Sequence, residues 1–188
     1  MDVTLWTGLG CVASLSEILL AVTTRTRQSG GKVQDRGSQF VLWIVILVSV
    51  TACEWIRRIT PVSILGGAHW LRLLSLIVLA VGLAIRWTAI VTLGKSFSVN
   101  VAIRESQKLH STGLYGFVRH PSYLGMLLIF LAIGLHSCNW VSLVIVLLPT
   151  TFALLYRIHV EEAVLREAFG EQYVVYSRDT KCLVPGVF

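Results

Sequence analysis

Charge is scarce in this 188-residue sequence: 14% of its residues are Asp, Glu, Lys or Arg, while 55% are hydrophobic. A soluble domain carries about 25% charged residues. That deficit, with a mean hydropathy of +0.74, excludes a soluble globular fold and points to an integral membrane protein. No stretch is long and polar enough to form a second, soluble domain, so residues 1–188 read as a single unit. Cys11, Cys53, Cys138 and Cys182 show no CxxC spacing, and thiols within or beside apolar runs behave as small hydrophobes, which disfavours a disulfide framework or a metal site. The N-terminus lacks a basic leader region and its apolar run continues past signal-peptide length, so it is expected to remain as a helix. No internal repeat or low-complexity tract is visible. The formal net charge of +6 does not indicate nucleic acid, because the basic residues sit at the ends of apolar runs, where they act as topology signals.

The long uncharged runs set the fold class: all-α, a polytopic membrane bundle of about five transmembrane helices. Residues 3–24 carry Glu17 as their only charge, a carboxylate too costly to face lipid and therefore expected to be buried against protein. A glycine-bearing polar loop, 25–39, leads to a second span at Phe40–Trp55, and Pro61 with Gly66-Gly67 marks the short connection to a third at Trp70–Gly94. Arg86 interrupts that third span and is expected to snorkel towards the interface, with binding of an anionic group as the alternative. From Pro121 to Tyr156 there are 36 residues without Asp, Glu, Lys or Arg, far more than the ~20 that one crossing needs. His136-Ser-Cys-Asn-Trp140 interrupts them near the middle. Two helices of roughly 16 to 18 residues therefore cross, turn and return, at ~1.5 Å per residue, which brings Arg119-His120 and Arg157 to Glu162 to one membrane face. Pro121 suits a first helical position, where its missing N–H costs nothing. Residues 1–94 thus hold three N-terminal spans, and 95–188 a polar connection, a hairpin and a cytoplasmic helical extension.

With five spans, twelve Lys and Arg lie on one side and Arg57, Arg58 and Arg72 on the other. The positive-inside rule makes the basic side cytoplasmic and puts the N-terminus outside. At helical spacing Arg157, Glu161 and Leu165 share a face, leaving Glu162, Arg166 and Glu167 to the wet side. Phe169-Gly170 reads as a helix end with a glycine cap. Each of these features has an ordinary structural reading: an i, i+4 ion pair, an interfacial histidine, interfacial Tyr115 and Tyr123. Together, though, the hairpin gathers a basic-imidazole end and an Arg/Glu end beside a glycine-bearing loop, which makes a partly polar pocket at the cytoplasmic interface.

Gly113-Leu-Tyr115, Arg119-His-Pro-Ser-Tyr123-x-Gly125, Glu161-Glu162-x-x-Leu165 and Phe169-Gly-Glu-Gln-Tyr173-x-x-Tyr176 resemble the isoprenylcysteine carboxyl methyltransferase family and the related phospholipid methyltransferases. The resemblance runs from about Phe97 to the C-terminus; the earlier spans are similar only in hydropathy. It implies a methyltransferase dependent on S-adenosylmethionine. By the family pattern the Gln107, Lys108, Leu109, His110 stretch, Tyr115, His120, Pro121, Ser122, Tyr123 and Glu161 fall on cofactor positions, and Arg157 on the substrate position as the catalytic residue. The family's usual His-x-Leu-Val appears as Gln107-Lys108-Leu109-His110, with the His displaced.

The chemistry of these side chains fits such roles. The cofactor carries a positive sulfonium and an amino-acid end, so Glu161 can accept from its ammonium, while His120 or a nearby backbone N–H can meet its carboxylate. Arg157 is a planar, permanently charged partner for an acceptor carboxylate, and a lipidic or prenylated substrate reaches such a site through the membrane lipids. The expected activity is methylation of the C-terminal carboxylate of an isoprenylated cysteine or a similar lipidic carboxylate, with phosphatidylethanolamine-type N-methylation as the alternative. A sterol-reductase-like enzyme and a non-catalytic scaffold are the readings from other classes.

Overall fold

The computed structural model describes residues 37–60, 69–94 and 109–184, together with separate helical positions between 6 and 19. Most of the expected first span, the loop after it and Gln107-Lys108 lie outside the described residues. The elements are helix α1 (Ser38–Ile59), α2 (His69–Leu93), a single 3-10 turn at Gly113–Gly116, α3 (Pro121–His136), α4 (Trp140–Phe169) and α5 (Glu171–Asp179). Helices α1, α2 and α4, of 22, 25 and 30 residues, are long and apolar enough to cross a membrane, whereas α3 is a shorter apolar helix. Their outer faces carry Leu47, Val91 and Phe152, all well exposed, as suits a surface solvated by lipid tails. The protein is an integral membrane protein; α2 begins and ends within one residue of the span read from hydropathy, while α1 runs from two residues before Phe40 to four residues past Trp55.

Packing is pairwise: α2 lies on α3, α1 on α4, and α3 on α4. Small residues let α2 and α3 approach closely, since a Cβ added to Gly125 would stand 2.7 Å from both the Gly82 carbonyl oxygen and Arg86 Cβ. Lipid supplies little hydrophobic drive between helices, so backbone-to-backbone fit is what holds such a crossing. The central core is built from Leu42 and Cys53 of α1, Met126 and Phe130 of α3, and Val146 and Leu154 of α4. All four cysteines are free thiols.

At the far end of the hairpin, Cys138 takes a left-handed conformation (φ 51°), and Asn139 caps α4 by accepting from Ser142 N at 3.0 Å, satisfying one of the unpaired donors of the first turn. The Asn139 amide also donates to Thr60 O and Oγ1, both at 3.0 Å, which ties the turn to the end of α1. At the other end α4 continues past Tyr156 without a break as a polar extension. It stops at Gly170, whose φ of 51° and ψ of −128° belong to glycine, and α5 turns back.

Contacts between helices sort by end. Thr60 with Asn139, Ser75 with His136 and the stacked Trp6–His136 pair define the far end. Ser38 with Arg157, Arg86 with Ser122, and Ala89 with Tyr115 define the other. The described segments therefore run alternately up and down.

Arg86 corrects one expectation. It does not snorkel but is buried in the bundle, where Nε and Nη2 grip Glu17, the latter at 2.6 Å, and Nη1 donates to Ser122 Oγ at 2.8 Å. A guanidinium inside a membrane helix bundle is tolerated only with such partners. Glu17, as expected, is held against protein.

Candidate active site at the polar end of the hairpin

Helix α3 begins with Pro121 in its first turn, after His120 in a non-helical conformation. Residues 117–120 are fixed from below by the segment after α5: Arg119 N donates to Lys181 O at 2.8 Å and His120 N to Cys182 O at 3.1 Å, with Val118 and Lys181 forming a parallel bridge. Cys182 and Leu183 are buried against Ile158 of α4. The chain just before α3 is thus clamped between α4 and the C-terminal segment.

Two polar clusters occupy this end. In the first, Tyr123 donates its hydroxyl to Glu161 Oε2 at 2.7 Å and accepts from Arg157 Nε at 3.3 Å, while Arg157 Nη1 donates to Ser38 Oγ at 2.6 Å. Arg157 and Glu161 lie one turn apart on α4, as the spacing requires, but the phenol stands between them. Arg157 is 2% exposed; Glu161 is half-buried. Tyr115 belongs to the same neighbourhood: its hydroxyl donates to Ala89 O at 3.2 Å, its carbonyl accepts from the Tyr176 hydroxyl at 2.6 Å, and burial, then the nearby Glu161 carboxylate, push its phenol pKa up. The His110 ring meets Tyr115 edge-on at 6.4 Å, with Leu109 half-buried beside it in sequence.

The second cluster centres on Glu162, which corrects the assignment of that residue to the wet side. Arg119 Nε donates to its Oε1 at 2.8 Å and Arg166 Nη2 to its Oε2 at 3.1 Å, and His120 Nε2 lies 3.5 Å from Oε1. Arg119 also reaches Ser177 O at 2.9 Å and Thr180 O, so one guanidinium joins α3's approach, α4 and α5. His120 and Arg119 together hold the Glu162 carboxyl at about 2, against the burial that would raise it. By geometry Arg119 is the stronger partner, since 3.5 Å is long for a hydrogen bond. Arg166 and Glu167 are exposed, as expected.

His120 Nε2 and Tyr173 Oη are buried with no hydrogen-bond partner among the described residues, and both neighbour Glu162. The ligand atoms of His120, Glu162 and Cys182 fall within 4.8 Å of one another. The Arg119 guanidinium already neutralises the carboxylate, and burial, then Glu162, hold the Cys182 thiol up at about 11.

Of the residues singled out by sequence, the fold brings Tyr115, Tyr123, Arg157 and Glu161 together. It puts His120 on the Glu162 side, with its ring stacked near Tyr123 at 5.7 Å. Pro121 starts the helix, and Ser122 faces Arg86 of α2 rather than α4. Sequence reasoning missed Ser38, the Arg119–Glu162 pair and the C-terminal clamp. Glu17 and Arg86 left a legible signal, two opposite charges in separate apolar runs; Ser38 left none.

Comparison with known proteins meets this geometry. The isoprenylcysteine carboxyl methyltransferase (ICMT) family matches over residues 73–167, which takes in most of α2, the 3-10 turn, α3 and nearly all of α4. Protein-S-isoprenylcysteine O-methyltransferase A of Arabidopsis thaliana is 35% identical over 175 residues, covering 92% of this chain and 87% of its own. Protein-S-isoprenylcysteine O-methyltransferase B of the same plant is 34% identical over 146 residues, 77% and 73% of the two chains. The solved structure of the eukaryotic intramembrane Ras methyltransferase ICMT superposes with a TM-score of 0.72 at 24% identity, over 99% of this chain and 68% of that one, a likeness of fold. The buried Tyr123–Glu161–Arg157 group thus lies within the segment on which family and fold agree, and the chain belongs to the isoprenylcysteine carboxyl methyltransferase family.

Proposed function

We propose that the protein methylates the carboxylate of an isoprenylated cysteine, or a closely similar lipidic carboxylate, with S-adenosylmethionine as donor, at the cytoplasmic face of its membrane. The observation that carries this reading is the single phenol, Tyr123, holding a buried cation and a carboxylate one helical turn apart. The names of the plant relatives support the substrate class, and no geometry among the described residues favours phosphatidylethanolamine. Arg119, Arg157, Arg166, Arg178 and Lys181 all belong to the site's end, and Arg57, Arg58 and Arg72 to the opposite one, which supports a cytoplasmic site and an outside N-terminus by the positive-inside rule.

The residues fit the cofactor's charge pattern. Glu161, half-buried and already accepting from Tyr123, retains lone pairs for an ammonium. Leu109, His110 and Tyr115 form the loop side, Pro121 and Ser122 set the start of α3, and Gln107 and Lys108 are carried over from the family pattern. His120, just before α3 and with its buried Nε2 without a hydrogen-bond partner among the described residues, meets the cofactor's carboxylate. The cofactor, when bound, supplies an electrophilic methyl on a sulfonium. What the protein adds is positioning: Arg157 fixes the acceptor carboxylate, Tyr123 fixes Arg157 relative to Glu161, and the surrounding helices exclude water, which together align an in-line displacement. An α-carboxylate with a pKa near 3.5 is already ionised, so no general base is needed. Calorimetry with S-adenosylmethionine in detergent tests the class of function: saturable binding that Glu161→Gln weakens supports the enzyme reading, and no binding would leave a scaffold.

A further inference from the structure

Ser38 stands in the first turn of α1, 119 positions before Arg157 in sequence and outside the family-matched residues 73–167. It is 1% exposed, and its hydroxyl oxygen lies 2.6 Å from Arg157 Nη1. A guanidinium only donates, so the Ser38 oxygen accepts and its own hydrogen points elsewhere. Gly37 precedes it at φ 84° with its carbonyl accepting from Val41 N at 3.0 Å, so the start of α1 is fixed by backbone and the hydroxyl's position follows from it. On the opposite edge of the guanidinium, Nε is directed at Tyr123. Arg157 is thereby gripped at two of its nitrogens by residues from two other helices.

We infer that Ser38 is a positioning residue for Arg157 and hence a determinant of specificity for a carboxylate acceptor. The inference rests on the reading of Arg157 as the carboxylate partner. An arginine side chain has many rotamers to lose on ordering, and a planar fork discriminates a carboxylate from a neutral group only when its plane is fixed in advance. Tyr123 holds the guanidinium at Nε and Ser38 holds it at Nη1, two points that lie in the plane of the fork. The first described span, which hydropathy alone would cast as a lipid-facing anchor, thus supplies a side chain to the reaction site.

The test uses the full chain in detergent with a farnesylated cysteine bearing a free carboxylate as substrate and its carboxamide as a competing inhibitor. Ser38→Ala should raise KM for the carboxylate about three- to tenfold, shrink the preference for carboxylate over carboxamide by a similar factor, and leave KM for S-adenosylmethionine unchanged. Ser38→Thr, which restores a hydroxyl at the same atom, should recover the preference. Arg157→Ala run alongside separates the two ideas. If Arg157→Ala abolishes turnover of the carboxylate while Ser38→Ala leaves the preference intact, Ser38 has no such role and the Arg157 reading stands. If Arg157→Ala turns over the carboxylate undiminished, the Arg157 reading fails and the role of Ser38 with it. A Ser38→Ala variant whose two KM values rise together would be a general structural defect, which also overturns the inference.

Discussion

Tyr123 gives its phenolic hydrogen to Glu161 at 2.7 Å, and the same oxygen accepts from Arg157 at 3.3 Å, so one hydroxyl links the carboxylate proposed to bind the cofactor and the cation proposed to bind the substrate. A direct Arg157–Glu161 salt bridge, which i, i+4 spacing alone would suggest, would satisfy each by the other. Interposing the phenol keeps the two charged groups from pairing directly.

Removing that hydroxyl should loosen both subsites at once. Tyr123→Phe keeps the ring and its packing against Ile158, Cys182 and Leu183, and is expected to raise KM for S-adenosylmethionine and for the carboxylate substrate by about three- to tenfold each, with thermal stability nearly unchanged. Steady-state titration of each substrate at saturating concentration of the other checks it; an effect on only one KM would show that the hydroxyl serves one group.

Adjacent glutamates should fail differently. Glu161→Gln is expected to weaken S-adenosylmethionine binding by roughly ten- to a hundredfold, the loss of a charge-assisted hydrogen bond of about 1.5 to 3 kcal/mol, without a large change in melting temperature. Glu162→Gln leaves Arg119 buried beside an amide in place of a carboxylate, and should lower the melting temperature while any loss of binding follows from instability. Calorimetry paired with thermal denaturation separates the two outcomes.

Acid stability carries the signature of Glu162. Its folded pKa is depressed from 4.5 to about 2, so its contribution is fully present above the unfolded value and is lost as pH falls from about 4.5 towards 2. Unfolding midpoints measured across that window should drop more steeply for the wild-type chain than for Glu162→Gln. Parallel curves would mean that the Arg119–Glu162 pair contributes nothing to folding.

The α2–α3 crossing has no room for side chains at Gly125. Gly125→Val is expected to destabilise the bundle by about 1 to 3 kcal/mol and to disturb Arg86 and Ser122, which sit at the same contact. Gly113→Ala provides a contrast: nothing lies within 4 Å of a Cβ there, so its cost comes only from the φ of 62°. Thermal melts of both variants in one detergent check the ordering.

Much of this architecture was legible because hydropathy dominates a membrane chain. The spans, the turn at His136 to Trp140 and the end at Gly170 follow from where charge, asparagine and glycine interrupt apolar runs, and the hairpin brings Arg119 to Glu162 as a uniform crossing demands. Side-chain partners across helices were less legible. Periodicity assigned Glu162 to water because it lies off the Arg157–Glu161 face, yet α5 and the residues after it fold back over that side, and no local pattern announces a segment returning from the chain's end. Arg86 was misjudged for the same reason: its guanidinium is buried by Glu17 and Ser122 from two other helices, while snorkelling considers one helix alone. Ser38 is an ordinary serine at the edge of a span until Arg157 is placed beside it.

Methyl transfer from labelled S-adenosylmethionine to a farnesylated cysteine analogue with a free carboxylate, measured for the wild-type chain and Arg157→Ala, tests the central claim most directly. The wild type should form the methyl ester at a rate nearly flat from about pH 6.5 to 8.5, since the acceptor is ionised throughout, and His110→Ala should retain most of that rate. Arg157→Ala should abolish turnover while binding S-adenosylmethionine within a few fold of wild type. Methylation of phosphatidylethanolamine with none of the prenylcysteine analogue, or undiminished ester formation by Arg157→Ala, would contradict the account.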